Sequence, residues 1–221
     1  MSMRVEALLF DMDGLLIDSE RIVQKSWELA GRELGYPGMS QVIYNLLGVN
    51  RAGRDIYFRE HLDPEFPCDK FAELASSKFY EIAQGGVPIK DGARELLQYA
   101  RSRGYKLAVA TSSRRAYADK VLAESEILQY FDGIVSGDMV QHSKPDPEIY
   151  LKAAALVGAL PECCMALEDA PAGIRAAHAA GMIPVLIPDL LEPPVEIVEL
   201  AFRKYKSLRE VIPLLESLEQ N

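Results

Sequence analysis

The chain has 221 residues, of which 49% are hydrophobic and 26% are charged, which is the composition of an ordinary globular protein. This composition excludes a disordered chain and a fibrous repeat protein, and the length suits one large domain or one domain with a smaller insertion. Lysine and arginine number 24 against 33 aspartate and glutamate residues, so the net charge is −9. We therefore expect no nucleic-acid partner and no anionic membrane partner, because the overall electrostatic field would oppose both.

The N-terminal segment and the cysteines predict a cytoplasmic protein. The apolar run in Met1–Phe10 stops at Asp11, so it is too short for a signal peptide or a membrane span. The cysteines include one adjacent pair and show neither a metal-binding nor a disulfide-framework spacing, which is typical of a reducing compartment. They are Cys68, Cys163 and Cys164. We also expect the protein to be a monomer.

Short apolar runs alternate with stretches of helical spacing along most of the chain. Runs of this length, bounded by turn residues, predict buried strands. The predicted strands are Val5–Phe10, Lys106–Ala110, Gly133–Ser136, Cys164–Leu167 and Ile183–Ile187. The predicted helices between them are Asp91–Gly104, Arg114–Ser125, Pro147–Gly158 and Pro171–Gly181. This alternation predicts an α/β fold with a doubly wound, Rossmann-like parallel sheet.

One region interrupts the alternation, because Ser19 to about Gln84 contains no convincing strand and has the spacing of amphipathic helices. The predicted helices there are Glu20–Leu34, Arg51–His61 and Asp69–Ala83. We expect residues 1–17 and 86–221 to form the α/β core and residues 18–85 to form an inserted small helical domain. After Pro193 we expect one or two closing helices, with the basic cluster Arg203–Lys206 on a solvated helix face.

Polar residues follow several of the predicted strands. Ligands of open α/β sheets bind outside the carboxyl ends of the strands, so these residues are candidates for a site. They are Asp11, Asp13, Thr111, Ser112, Ser113, Glu168 and Asp169, with Lys144 before the helix that starts at Pro147. Four carboxylates close together would repel one another unless a cation lay among them. Mg²⁺ is the natural candidate, and it commonly binds a substrate phosphate at the same time.

Other phosphate-binding motifs are absent from the sequence. The chain contains neither GxxxxGK[ST] nor GxGxxG. A nucleoside triphosphate site or a dinucleotide site is therefore not supported, and a small phosphate ester is the better candidate ligand.

Four motifs in chain order resemble those of the haloacid dehalogenase superfamily. They are Asp11-Met12-Asp13-Gly14, Thr111-Ser112, Lys144-Pro145-Asp146-Pro147 and Leu167–Gly173. The helical insertion resembles the cap of the β-phosphoglucomutase-like branch. Within that branch the runs DMDGLLIDSER, ATSSR, KPDPEIYL and EDAPAGIRAAHAAGM resemble the pseudouridine-5′-phosphatase type.

The resemblance implies a role for each of the motif residues. Asp11 would attack phosphorus to form an aspartyl-phosphate, and Asp13 would act as general acid and then general base. Thr111 would hydrogen-bond a phosphoryl oxygen, and Lys144 would offset the developing charge. The implied metal ligands are Asp11, Asp13, Glu168 and Asp169, and the implied substrate-binding residues are Ser112 and Arg51.

These roles predict a Mg²⁺-dependent phosphatase for a small phosphorylated metabolite, either a sugar phosphate or a nucleoside monophosphate. A dehalogenase of the same superfamily would not need Asp13. A phosphomutase is the main enzymatic alternative; Arg51 matches its cap arginine, whereas Leu47 and Val23 stand where that branch has a lysine and a histidine. A non-enzymatic binding or regulatory module is a further alternative, but none of the motif residues is missing.

Overall fold

A parallel sheet of six strands forms the centre of the larger part of the molecule. The computed structural model describes residues 4–46 and 51–219. The strands are β1 (Ala7–Phe10), β2 (Lys106–Ala110), β3 (Gly133–Val135), β4 (Cys164–Glu168), β5 (Ile183–Leu186) and β6 (Arg203–Lys204). Their order is β3-β2-β1-β4-β5-β6, and every neighbouring pair is parallel. The prediction of a doubly wound, Rossmann-like parallel sheet is confirmed.

Helices cover the sheet, which explains the continuous apolar runs of the central strands. All four residues of β1 and all five of β4 are buried, as expected for parallel strands covered on both faces. Burying one Leu or Phe side chain stabilises the fold by about 1.5–3 kcal/mol. The helices of this unit are α5 (Ala93–Ser102), α6 (Arg115–Glu124), α7 (Glu148–Val157), α8 (Pro171–Ala179), α9 (Val195–Leu200) and α10 (Val211–Glu219).

The chain divides into two compact units. The α/β unit comprises Met1–Asp18 and Val87–Asn221, and the helical unit comprises Ser19–Gly86. The helical unit contains α1 (Ser19–Glu33), α2 (Met39–Val42), α3 (Arg51–His61) and α4 (Cys68–Ala83). Leu47, on which part of the comparison with phosphomutases depends, lies outside the described residues.

The helical unit has an aromatic core of its own. The Trp27 ring lies edge-on to Phe58 and Phe71, at centroid distances of 5.7 and 5.3 Å. Phe66 packs against the same two phenylalanine rings. Edge-to-face pairs of this kind add about 0.5–1.5 kcal/mol to the effect of burial. The apolar residues at helical spacing in this region therefore account for its packing.

The two segments that connect the units run side by side within the α/β unit. Ile17 pairs with Ile89 in an antiparallel bridge. The backbone N–H of Asp18 donates to the carbonyl of Pro88 (2.8 Å), and the N–H of Lys90 donates to the carbonyl of Leu16 (3.0 Å). The point where the chain leaves the α/β unit and the point where it returns are thus hydrogen-bonded to each other.

The C-terminal region differs in one respect from the prediction. The two closing helices α9 and α10 are present, but Arg203 and Lys204 form the edge strand β6 and not a helix face. The placement of the basic cluster Arg203–Lys206 on a helix was therefore wrong. Among the described residues, no helix has both the length and the apolar character needed to cross a membrane.

Candidate active site

The candidate site lies where the strand order reverses. Strands β2 and β3 lie on one side of β1 within the sheet, and β4 and β5 lie on the other side of β1. Phe10 is paired in register with Leu167, and the N–H of Asp11 donates to the Leu167 carbonyl at 3.0 Å. Asp11 therefore lies next to Glu168 on the neighbouring strand, at the switch point where open α/β sheets bind ligands.

Lys144 joins these two carboxylates. Its Nζ donates to Oδ1 of Asp11 and to Oε1 of Glu168, both at 2.6 Å, and to the carbonyl of Ala110 at 2.9 Å. The Lys144 side chain is only 6% exposed. Each of its three ammonium donors thus has an acceptor, and the bonds are short because both partners of each carboxylate pair are charged.

The loop that carries Lys144 is tied to the start of α7. The Glu148 carboxylate accepts from the N–H groups of Gln141 and His142, at distances from 2.8 to 3.1 Å. The Asp146 side chain accepts from the N–H of Glu148, the first residue of α7, at 2.9 Å. The Lys152 side chain and these backbone donors lower the pKa of Glu148 to about 2, so the carboxylate that holds the loop is ionised at neutral pH.

Burial governs the electrostatics of the site. Desolvation raises the pKa of Asp11 to about 7, although Lys144 opposes this shift; Glu168 and Asp13 reinforce it. Asp11 and Glu168 raise the pKa of Lys144 above its ordinary value, although burial acts in the opposite direction. Lys144 is therefore charged at neutral pH, whereas the ionised form of Asp11 is poorly solvated and would be stabilised by another nearby cation.

Asp13 is connected to the loop after β2. The hydroxyl of Ser113 donates to Oδ2 of Asp13 at 2.7 Å, and the N–H of Ser113 donates to Oγ1 of Thr111 at 3.0 Å. Thr111 is buried, whereas the side chain of Ser112 is exposed. Because the Thr111 oxygen accepts from Ser113, its own O–H is free to donate to a ligand.

Two glycines allow the close approaches at this site. Gly14 has φ +83°, a left-handed conformation that only glycine adopts readily, at the turn directly after Asp13. Gly173, in the first turn of α8, packs against Glu168 so closely that a Cβ atom would lie 1.9 Å from the carboxyl carbon. The glycine at 173 therefore leaves the space that the Glu168 carboxylate occupies.

The carboxylates could hold a metal ion. Oxygens of Asp11, Glu168 and Asp169 lie within 4.8 Å of one another. Together with Asp13 these carboxylates outnumber the Lys144 ammonium, so the cluster has an excess of negative charge. Oxygen donors in this arrangement suit a hard divalent cation such as Mg²⁺, so Asp11, Glu168 and Asp169 fit such an ion.

The family of the chain follows from a comparison with known proteins. Residues 5–181 match the model of the haloacid dehalogenase-like hydrolases. The chain belongs to this hydrolase family. The match includes all of the motif residues described above.

Curated relatives of this hydrolase include phosphatases. The chain is 32% identical over 179 residues to the phosphorylated carbohydrates phosphatase of Thermotoga maritima, covering 80% of this chain and 82% of the relative. It is 32% identical over 186 residues to the fructose-1-phosphate phosphatase YqaB of Escherichia coli, covering 81% and 94%. The prediction that the hydrolase is a phosphatase is confirmed.

Solved structures share the fold over nearly the whole chain. A hydrolase of this family from Deinococcus radiodurans R1, with bound phosphate and sodium, aligns with a TM-score of 0.85 at 26% identity and covers 98% of this chain and 97% of its own. The β-phosphoglucomutase of Clostridium difficile aligns with a TM-score of 0.76 at 23% identity and covers 98% of each chain. At that identity the second similarity shows the fold alone.

The helical unit of the hydrolase contains the predicted residue Arg51. Its guanidinium Nη2 lies 2.5 Å from Oδ1 of Asp69, and its Nε lies 3.9 Å from Oδ2 of Asp55. Arg51 and the aromatic core line a cavity of about 240 Å³ that also contains Arg54. The Arg54 Nε is buried and has no hydrogen-bond partner among the described residues. This cavity combines an apolar wall with two guanidinium groups.

Sequence reasoning missed two residues of the site. Ser113 was noted in the hydroxyl cluster but had no assigned role, whereas its hydroxyl is bonded to Asp13. Tyr150 is fully buried in α7, and its hydroxyl donates to Oε1 of Glu168 at 2.6 Å. Its place in the run KPDPEIYL, six residues after Lys144, is the only sequence signal that could have drawn attention to it.

Proposed function

We propose that the chain is a Mg²⁺-dependent phosphatase that hydrolyses a small phosphorylated metabolite through an aspartyl-phosphate intermediate. The observation that supports this most directly is the bridging of Asp11 and Glu168 by Lys144 within an excess of carboxylates. Between the two predicted substrate classes we favour sugar phosphates over nucleoside monophosphates. The names of the two phosphatase relatives, one for phosphorylated carbohydrates and one for fructose 1-phosphate, support this preference.

Asp11 supplies the nucleophile. One of its carboxylate oxygens attacks phosphorus, the Asp11 O–P bond forms, and the bond from phosphorus to the leaving oxygen breaks. Burial favours this step because a carboxylate whose pKa is raised to about 7 is poorly solvated, so little hydration must be removed before attack. Lys144 keeps the ionised form populated and offsets the charge that develops on the phosphoryl oxygens.

Asp13 transfers the protons. It gives a proton to the leaving alkoxide in the first step. In the second step it takes a proton from the water that attacks phosphorus, while the Asp11 O–P bond breaks and inorganic phosphate leaves. The Ser113 hydroxyl, which donates to Oδ2, helps to orient the carboxyl group for both steps. Thr111, and with it Ser112 as a predicted contact, would bind the phosphoryl oxygens.

The metal site would be formed by Asp11, Glu168 and Asp169, together with the main-chain carbonyl of Asp13. A bound Mg²⁺ would supply electrostatic stabilisation of the phosphoryl oxygens and would neutralise the surplus of carboxylate charge. A monomeric enzyme in a reducing, cytoplasmic compartment stays a prediction from the sequence.

The test is a phosphate-release screen with purified protein over sugar phosphates, polyol phosphates, nucleoside monophosphates and an aryl phosphate. We expect turnover with Mg²⁺, none in excess EDTA, and inhibition by Ca²⁺, because Ca²⁺ takes more oxygen ligands at longer distances and would engage both oxygens of Asp11. Sugar phosphates should give the highest specificity constants. Full activity in EDTA would refute the metal requirement, and a preference for nucleoside monophosphates would overturn the substrate class.

The phosphomutase alternative has one residue in its favour, Arg51, which matches the cap arginine of that branch. Against it stands the replacement of the cap histidine and the cap lysine of that branch by Val23 and Leu47. Incubation with a sugar 1-phosphate, followed by ³¹P nuclear magnetic resonance, separates the two activities because a mutase yields the isomeric phosphate and a phosphatase yields inorganic phosphate. The non-enzymatic alternative is set aside, since the family is one of hydrolases and every motif residue is present.

A further inference from the structure

Tyr150 is a buried polar residue to which the mechanism above gives no part. Its side chain is 0% exposed, and it belongs to the apolar cluster between the sheet and α7. A phenylalanine would fill the same space without placing a hydroxyl group in that cluster. The position of the hydroxyl, 2.6 Å from Oε1 of Glu168, is therefore the feature that needs a physical reason.

The Tyr150 side chain contacts both members of the Lys144–Glu168 pair. Oε1 of Glu168 accepts from Nζ of Lys144 and from the hydroxyl of Tyr150, each at 2.6 Å. The ammonium of Lys144 also lies 5.0 Å from the centre of the Tyr150 ring, within the range of a cation–π contact.

The Glu168 carboxylate is thereby held on three sides. Two donors converge on Oε1, and the backbone of Gly173 closes the space on the side of α8. Oε2 is then the oxygen that remains for a cation or a metal-bound water. The hydroxyl of Tyr150 is thus one of two donors that orient the carboxylate and set the direction in which Oε2 points.

A second consequence concerns Lys144. In the proposed mechanism its ammonium must interact with the phosphoryl group as charge develops there, and this weakens its bond to Glu168. A buried carboxylate oxygen that loses its donor is strongly destabilised. With Tyr150 in place, Oε1 keeps one donor while Lys144 exchanges partners.

We propose that Tyr150 is a positioning residue of the phosphatase, which holds Glu168 in its metal-binding orientation and lets Lys144 move to the phosphoryl group. This inference rests on the proposed function. It concerns a residue that touches neither substrate nor metal and that acts through Glu168.

The test compares Tyr150→Phe with Tyr105→Phe. Tyr105 is a matched control because its hydroxyl also donates to a glutamate, Glu219, at 2.9 Å. Tyr105 precedes β2 and therefore lies at the opposite edge of the sheet. For each variant we would measure the melting temperature, Mg²⁺ binding to the substrate-free protein by calorimetry, and kcat and KM for an aryl phosphate.

We expect Tyr150→Phe to keep its cooperative unfolding, to bind Mg²⁺ at least about fivefold more weakly and to lose about tenfold in kcat, with KM within about twofold of the wild-type value. Tyr105→Phe should change the melting temperature alone. Tyr150→Phe with wild-type kcat and wild-type Mg²⁺ affinity would overturn the inference, whatever its melting temperature.

A double-mutant cycle on Mg²⁺ binding with Glu168→Gln supplies a second measurement. The sum of the losses in Mg²⁺-binding free energy in the two single variants should exceed the loss in the double variant, because both substitutions act on the same carboxylate. Strict additivity would contradict the inference. Failure of the proposed function is recognised separately, since it would appear in the wild type as absence of Mg²⁺-dependent phosphate release.

Discussion

The α/β unit and the helical unit use their charged side chains in different ways. In the α/β unit Lys144 is 6% exposed and is bonded to two buried carboxylates. In the helical unit Arg51 is 56% exposed, and its closest partner, Asp69, is 91% exposed. Removing one member of a buried pair leaves an uncompensated charge, whereas an exposed pair contributes at most about 1 kcal/mol. The buried charged groups of the α/β unit are therefore suited to holding catalytic groups in one arrangement. Arg51 is suited to exchanging its carboxylate partner for a ligand.

The largest expected effect of a substitution in the α/β unit is that of Asp11→Asn. The amide cannot attack phosphorus, so we expect phosphate release to fall at least about a thousandfold. The melting temperature should not decrease, because Lys144 keeps Glu168 as a buried charged partner and the change removes one of several mutually repelling carboxylates. Asp119→Asn, an exposed change on α6 that only breaks a pair with Arg115, is the control and should leave both values unchanged. Activity within tenfold of wild type would remove Asp11 from the role of nucleophile.

Asp13→Asn should have an effect that depends on the leaving group. An alkyl phosphate needs a proton on its departing oxygen, so we expect a loss of about 10²–10⁴-fold in kcat/KM. An aryl phosphate has a better leaving group and should lose far less in the first step. The two substrates are compared by initial rates of phosphate release. Equal losses on both would contradict the assignment of Asp13 as general acid.

Gly173→Ala tests whether the close packing of α8 against Glu168 fixes the position of that carboxylate in the candidate site. The new Cβ would lie 1.9 Å from the carboxyl carbon of Glu168, so either the carboxylate or α8 must move. We expect about 1–3 kcal/mol of destabilisation and at least about a tenfold rise in the Mg²⁺ concentration for half-maximal activity. Gly85→Ala is the control, since its Cβ would meet nothing within 4 Å. A normal Mg²⁺ titration in Gly173→Ala would show that Glu168 need not keep this position.

The smallest expected effect is in the helical unit. Arg51→Ala should lower kcat/KM for the best sugar phosphate by about tenfold, or about 1.4 kcal/mol, and leave kcat/KM for a small aryl phosphate nearly unchanged. Arg59→Ala, on the exposed face of the same helix, should change neither value. Equal losses on both substrates would show that Arg51 contributes to catalysis or folding in general. No loss on either substrate would show that it is an exposed residue with no role in substrate binding.

The fold and much of the candidate site could be predicted from the sequence, for a physical reason. Parallel strands end at one edge, so residues at the carboxyl ends of β1, β2 and β4, or directly after them, must meet there, and Asp11 and Glu168 do so. Lys144 could be assigned only through its motif, because its place depends on a loop held by Glu148.

Other features have no such signal in the sequence. Ser112 and Ser113 differ by one position in a tight turn, and only the backbone conformation decides which hydroxyl reaches Asp13. Tyr150 occupies a core position at helical spacing, so its hydroxyl bond cannot be inferred from the pattern. The strand β6 has two charged, exposed residues and lacks the apolar alternation that would have identified it.

The antiparallel bridge between Ile17 and Ile89 brings together the two points between which the helical unit is inserted. For the α/β unit, everything between these residues is the turn of one long hairpin. Loop-closure entropy grows slowly with loop length, by about 0.6 kcal/mol for each doubling, so the strand order tolerates turns of very different size. Any insert whose ends lie equally close can occupy this position. The inserted segment could thus be replaced by another of different length without rebuilding the edge of the sheet that carries Asp11.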